Sequence, residues 1–176
     1  SFNNPFEDNG RSVDYNFLFP EYGQSYSNDA SLLIPATSVY TDYIAAAHGS
    51  STALTYITII GISEKDTKIF VKPKTAISAA NGIPAIAAGA TGTITLKTGQ
   101  IAQIEEKGKD ITGTRIYCDF EDADCAPFAV FSGTDCANIP NGYGYCDHVE
   151  QQLFPVQTWG EEYILVKSKA RDKEWD

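Results

Sequence analysis

Cys118, Cys125, Cys136 and Cys146 are the residues most able to do chemistry, and they crowd into one stretch of the chain. Thiolates bind metals, attack electrophiles or oxidise in pairs. No two of them have the C-x2-C spacing of a zinc knuckle. An even, clustered count in an acidic chain rich in Gly and Tyr instead indicates disulfides formed in an oxidising compartment. Three pairings are open. Short loops close more easily, which favours Cys118 with Cys125 and Cys136 with Cys146, each contributing about 2 to 3 kcal/mol by restricting the unfolded chain.

Each of these pairs would bracket a loop with its own chemistry. DFEDADC, residues 119–125, offers Asp119, Glu121, Asp122 and Asp124 as hard oxygen donors at the close spacing of a calcium loop, so calcium is the cofactor such a site would take. The pattern lacks the central glycine and distal bidentate glutamate of an EF-hand, and an acidic, solvated hairpin tip is the competing reading. NIPNGYGYC, residues 138–146, carries Tyr143 and Tyr145 on a glycine-flanked loop. Tyrosine gives large contact area at low entropic cost, so these two rings are the expected binding residues, unless they pack on the edge of the domain.

Catalysis is not expected. His148 adjoins Cys146 and Asp147, but a disulfide-bonded cysteine has no thiolate to offer. Adjacent residues on a strand also point to opposite faces. Hydrogen bonding or packing beside a closed loop is the plainer role for His148. GxSxG, HExxH and phosphate-cradling glycine loops are absent from the sequence, and nothing singles out a carboxylate pair among its 23 acidic residues.

The elements that must position these loops read as strands almost throughout. YNFLF (15–19), ALTYITIIGI (53–62), TKIFVKP (67–73), GTITL (92–96), QIAQIEE (100–106), GTRIYCD (113–119) and APFAVFSG (126–133) are rich in β-branched and aromatic residues, with turn signals between them. TAISAANGIPAIAAGA (75–90) is Ala-rich, but Gly82 and Pro84 interrupt it, so it reads as a long loop. Strands recurring about every ten residues predict an all-β antiparallel sandwich, jelly-roll-like, with about ten strands and disulfide-stapled loops. Trp159, at a corner between strands, is assigned to the core.

A chain of 176 residues with 43% hydrophobic composition suits a single β domain over 1–176. Its net charge of −10 and pI near 4.5 argue against nucleic acid and anionic membranes, which require a basic footprint. No apolar run is long enough for a spanning helix, so no direct membrane insertion is expected. The sequence contains no methionine, which suggests a piece of a larger extracellular protein.

The sequence also echoes itself at an offset of 120 residues, Pro35 to Pro155. LIPATSVYTDYIAA at 33–46 and LFPVQTWGEEYILV at 153–166 share Leu, a large apolar residue, Pro, and later Tyr-Ile. Such a strand-corner-strand unit would lie at two ends of a sandwich or begin two successive repeats. Solenoid repeats are shorter than this.

APFAVFSGTDC (126–136), with CDHVEQQLFPVQTWGEEYILV (146–166), resembles the IgGFc-binding protein N-terminal domain family. The resemblance rests on Val130 to Gly133, the cysteine pair around a polar loop, Asp147-His148, Glu150 to Pro155, Thr158 to Gly160 and Tyr163. It implies a secreted or cell-surface all-β module of adhesive or matrix proteins, with no Fc-contact motif to map. The expected function is a non-enzymatic adhesion or structural module that contacts proteins or glycans and self-assembles through edge strands. The alternative is a calcium-using, carbohydrate-binding or carbohydrate-processing sandwich.

Overall fold

A computed structural model describes residues 31–49, 53–80, 82–138 and 146–166. Within them lie eight strands: β1 (Asp42–Ile44), β2 (Leu54–Gly61), β3 (Thr67–Lys72), β4 (Gly92–Leu96), β5 (Ile101–Lys107), β6 (Arg115–Tyr117), β7 (Phe128–Ala137) and β8 (Asp147–Gln152). They form two antiparallel four-stranded sheets, ordered β1-β6-β3-β4 and β5-β2-β7-β8. The all-β antiparallel sandwich is therefore as the sequence indicates, with eight described strands instead of about ten. YNFLF lies outside the described residues.

Alternation decides which face each strand buries. In β2, Thr55, Ile57 and Ile59 point inward and are fully buried, while Leu54, Tyr56, Thr58 and Ile60 alternate with them on the outside. Ile69 and Val71 of β3, Ile104 of β5, Ile116 of β6 and Phe128 and Val130 of β7 fill the same core. Because side chains have a period of two, this register is strongly fixed: a one-residue slip would turn the isoleucines of β2 out to solvent. Tyr43 closes the core from β1, its ring 5.3 Å from that of Phe128. Its hydroxyl donates to the Phe128 carbonyl at 2.7 Å and so ties one sheet to the other.

The Ala-rich stretch between β3 and β4 is a loop, as its Gly and Pro predict. Isolated bridges pair Ile77 with Ile86 and Ala80 with Ile83, and the three isoleucines are buried as a cap on the core. Glu106, pointing inward from β5, anchors this loop. Its carboxylate accepts from the Ser78 amide and hydroxyl and from Lys109 Nζ, the last at 2.5 Å. Burial opposes ionisation of Glu106, but the Lys109 ammonium and the Ser78 donors outweigh it and hold the carboxyl below its ordinary range.

Two readings change. Trp159 is 48% exposed, not core, and its indole donates to the Phe154 carbonyl at 3.1 Å. The indole folds back onto its own turn, where that carbonyl satisfies its N–H without burial. Tyr163 to Val166, for all their strand-like composition, form no strand here, and the true strand upstream is the polar β8. Among the described residues no helix is long and apolar enough to cross a membrane.

Candidate functional site

The cysteines pair Cys118–Cys125 and Cys136–Cys146. The first crosslink closes the loop before β7 and the second closes the loop after it. Cys125 lies just before β7 and Cys136 near its end, roughly 30 Å apart at an ordinary strand rise. The two crosslinks thus lie toward opposite ends of β7.

What the acidic loop does join is a row of rings and cations on the outer face of the first sheet. Burying Ile69, Val71 and Ile116 forces Lys68, Phe70 and Lys72 of β3, and Arg115 and Tyr117 of β6, to the outside. Register sets Phe70 opposite Tyr117, and Tyr117 opposite Asp42 of β1. The two rings lie 5.5 Å apart. Lys68 Nζ sits 5.2 Å from the Phe70 centroid, and the Arg115 guanidinium is 4.4 Å from that of Tyr117.

Carboxylates hold both ends of the row. Arg115 donates to Asp42 through Nε at 2.9 Å and Nη2 at 2.6 Å, a bidentate pair that raises the arginine pKa. Lys68 Nζ donates to Asp122 at 3.1 Å. The Asp124 amide, and then Lys68, hold the Asp122 carboxyl below its ordinary range. Exposed ion pairs and cation–π contacts stabilise a fold only weakly, so folding alone does not account for the row. Its physical effect is to fix long side chains in place before any partner arrives. Three outward cations, Lys68, Lys72 and Arg115, outnumber the two carboxylates on a chain whose net charge is −10.

The other acidic residues are engaged in the turn. Asp119 accepts the Glu121 amide at 3.1 Å, and Asp122 accepts the Asp124 amide at 3.2 Å. Glu121 and Asp124 supply those amides. Among the described residues no group of three or more His, Cys, Asp or Glu is arranged to hold a metal ion. Tyr143 and Tyr145 lie outside the described residues.

His148 lies on the outside of the second sheet. Its Nε2 is 2.6 Å from the Tyr56 hydroxyl, which also donates to Glu150 at 3.0 Å, and the two rings stack. Asp147 accepts the His148 amide at 2.9 Å, and Cys146 is held in its disulfide. These three residues make no nucleophile–base pair. Gly133 makes the Tyr56 cluster possible, since a Cβ there would meet the Val149 carbonyl at 2.1 Å and the Tyr56 hydroxyl at 2.7 Å.

Lys68, Phe70, Arg115 and Tyr117 were not singled out by sequence reading, although their signal was present. TKIFVK and TRIYC both alternate an apolar residue with a cation or a ring, and reading the outward set of each strand would have found them.

A family model described as "IgGFc binding protein" matches residues 29–176. A human IgGFc-binding protein is 31% identical over 78 residues, which is 44% of this chain and 1% of that protein. No solved structure matches. With the family model covering most of the chain, the protein belongs to the IgGFc-binding protein family.

Proposed function

We propose that this chain is a non-enzymatic, extracellular protein-contact module of an adhesive or matrix protein, and that it docks its partner on the outer face of the first sheet. The observation carrying this reading is the row Asp42–Arg115–Tyr117–Phe70–Lys68–Asp122, with its rings in contact and its cations pinned. Tyrosine, phenylalanine and arginine are enriched where protein interfaces concentrate their binding energy. The row is pre-ordered, so less rotamer entropy is lost on docking. Its cations favour a partner that presents carboxylates. Two disulfides support an oxidising, extracellular setting.

The human relative's name makes immunoglobulin Fc the first probe to try. Surface plasmon resonance against Fc compares the parent chain with Tyr117→Ala and with Lys72→Glu, both checked for unchanged melting. Loss of binding in both, with Glu150→Gln on the opposite sheet unaffected, is the expected outcome. A glycan-array signal abolished by Tyr117→Ala, without protein binding, would move the partner class to carbohydrate.

A further inference from the structure

The segments that align at an offset of 120 residues, Pro35 to Pro155, also fold alike. Each proline precedes a 3-10 turn, Ala36–Ser38 and Val156–Thr158, and their backbone angles are φ −57°, ψ 145° and φ −62°, ψ 144°. Ser38 donates to the Pro35 carbonyl at 2.8 Å, and Thr158 donates to that of Pro155 at 2.9 Å. A tyrosine hydroxyl then accepts the amide three residues before it: Tyr43 from Tyr40 at 3.1 Å, and Tyr163 from Gly160 at 2.7 Å.

Burial in the two copies is inverted. Leu153 is 8% exposed and belongs to the core, whereas its counterpart Leu33 is 67% exposed. Tyr43 and Val39 are 1% and 5% exposed, whereas their counterparts Tyr163 and Trp159 are 67% and 48%. Ile164, Leu165 and Val166, at 91%, 95% and 84%, continue an apolar edge that isolated proteins avoid. The leading half of the second copy thus closes this sandwich, while its trailing half enters no sheet among the described residues.

We infer that residues 159–166 are the opening segment of a second sandwich of this topology in the parent polypeptide, with residues 153–158 as the junction between the two units. The acceptor is a sheet edge like β6, which pairs with β1 here, and Glu162 stands where Asp42 engages Arg115. A second copy of this same chain is a poor acceptor. Val39, Thr41 and Ala45 sit in closed slots at 5%, 3% and 1% exposure, and their counterparts are Trp159, Glu161 and Leu165, all larger and one charged. The following unit has the same fold with wider slots. Leu33, exposed where Leu153 is buried, would by the same logic close a unit before this one.

The parent's coding sequence and hydrogen exchange test this. The spacings of Asp42 to Arg115 (73) and Tyr43 to Phe128 (85) predict a basic residue about 73 positions beyond Glu162 and an apolar strand about 85 beyond Tyr163. In the 176-residue chain the amides of Tyr163 to Val166 should exchange freely. In a parent polypeptide extended through the following unit they should slow by about a hundredfold or more, and Leu165→Asp, at the counterpart of the buried Ala45, should reverse that slowing while leaving β2 protected. A parent without such a unit, or one in which those amides still exchange freely, would overturn the inference. So would concentration-dependent dimers of the 176-residue chain that Leu165→Asp abolishes, since the acceptor would then be a second copy.

Discussion

The Tyr43 hydroxyl accepts the Tyr40 amide and donates to the Phe128 carbonyl, so replacing it with hydrogen leaves two backbone groups short of a partner. Tyr43→Phe should cost about 1 to 3 kcal/mol, the range for an orphaned buried polar group, read as a lower urea midpoint with an unchanged slope. Burial pushes the Tyr43 hydroxyl far above its ordinary value of 10.0, with the Tyr40 contact opposing only in part. The folded state therefore holds a proton that the unfolded chain releases above about pH 10. Stability is full below that pH and falls as pH rises beyond it, and Tyr43→Phe should flatten the decline. Glu106 has the opposite sign. Its folded carboxyl titrates below the ordinary 4.5, so its contribution is present above that value and is lost as pH falls toward its folded pKa. Glu106→Gln should reduce the acid sensitivity of melting. At Gly133 the close approach of the Val149 carbonyl predicts that Gly133→Ala costs about 1 to 3 kcal/mol through overpacking, with lost protection in β8. At this scale the local cysteine pairing was legible because loop closure depends on sequence spacing. The partners of Phe70, Tyr117 and Arg115 were not, because strand register is set by long-range pairing.

At the scale of elements, β2 to β7 stood out in the sequence: β2 to β6 set apolar or β-branched residues at alternate positions, and β7 opens on a continuous apolar run, Phe128 to Val130, that is buried throughout. β8 was hidden, since DHVEQQ buries only Gln152, whose side chain accepts the Ile34 amide at 2.6 Å. An edge strand with one solvated face needs few apolar residues, and β8 is held by its ladder to β7. EEYILV misled for the complementary reason: its composition suits a strand, but a strand forms only where an edge accepts it. The Cys118–Cys125 crosslink fixes the short loop that carries Asp122 to Lys68. Reducing it selectively, or replacing both cysteines with serine, should lower stability by about 2 to 3 kcal/mol, and should weaken Lys68 contacts on the outer face without unfolding the second sheet. Differential hydrogen exchange of β3 and β2 would separate these effects.

For the molecule as a whole, the acidic balance and the outer face of the first sheet act in different ranges. A net charge of −10 repels acidic partners at long range. Lys68, Lys72 and Arg115 offer them a local foothold, so binding through that face should weaken as added salt screens the cations. The account depends on that face being the docking surface, and a binding series on immunoglobulin Fc tests it most directly. It compares the parent chain, Tyr117→Ala with Lys72→Glu, and a loop variant carrying Tyr143→Ala with Tyr145→Ala. Truncating an anchoring ring and reversing a charge should weaken binding at least about tenfold, while the loop variant stays near the parent. Parent-level affinity in the face variant, with binding lost in the loop variant, would place the contact on Tyr143 and Tyr145 and contradict the account.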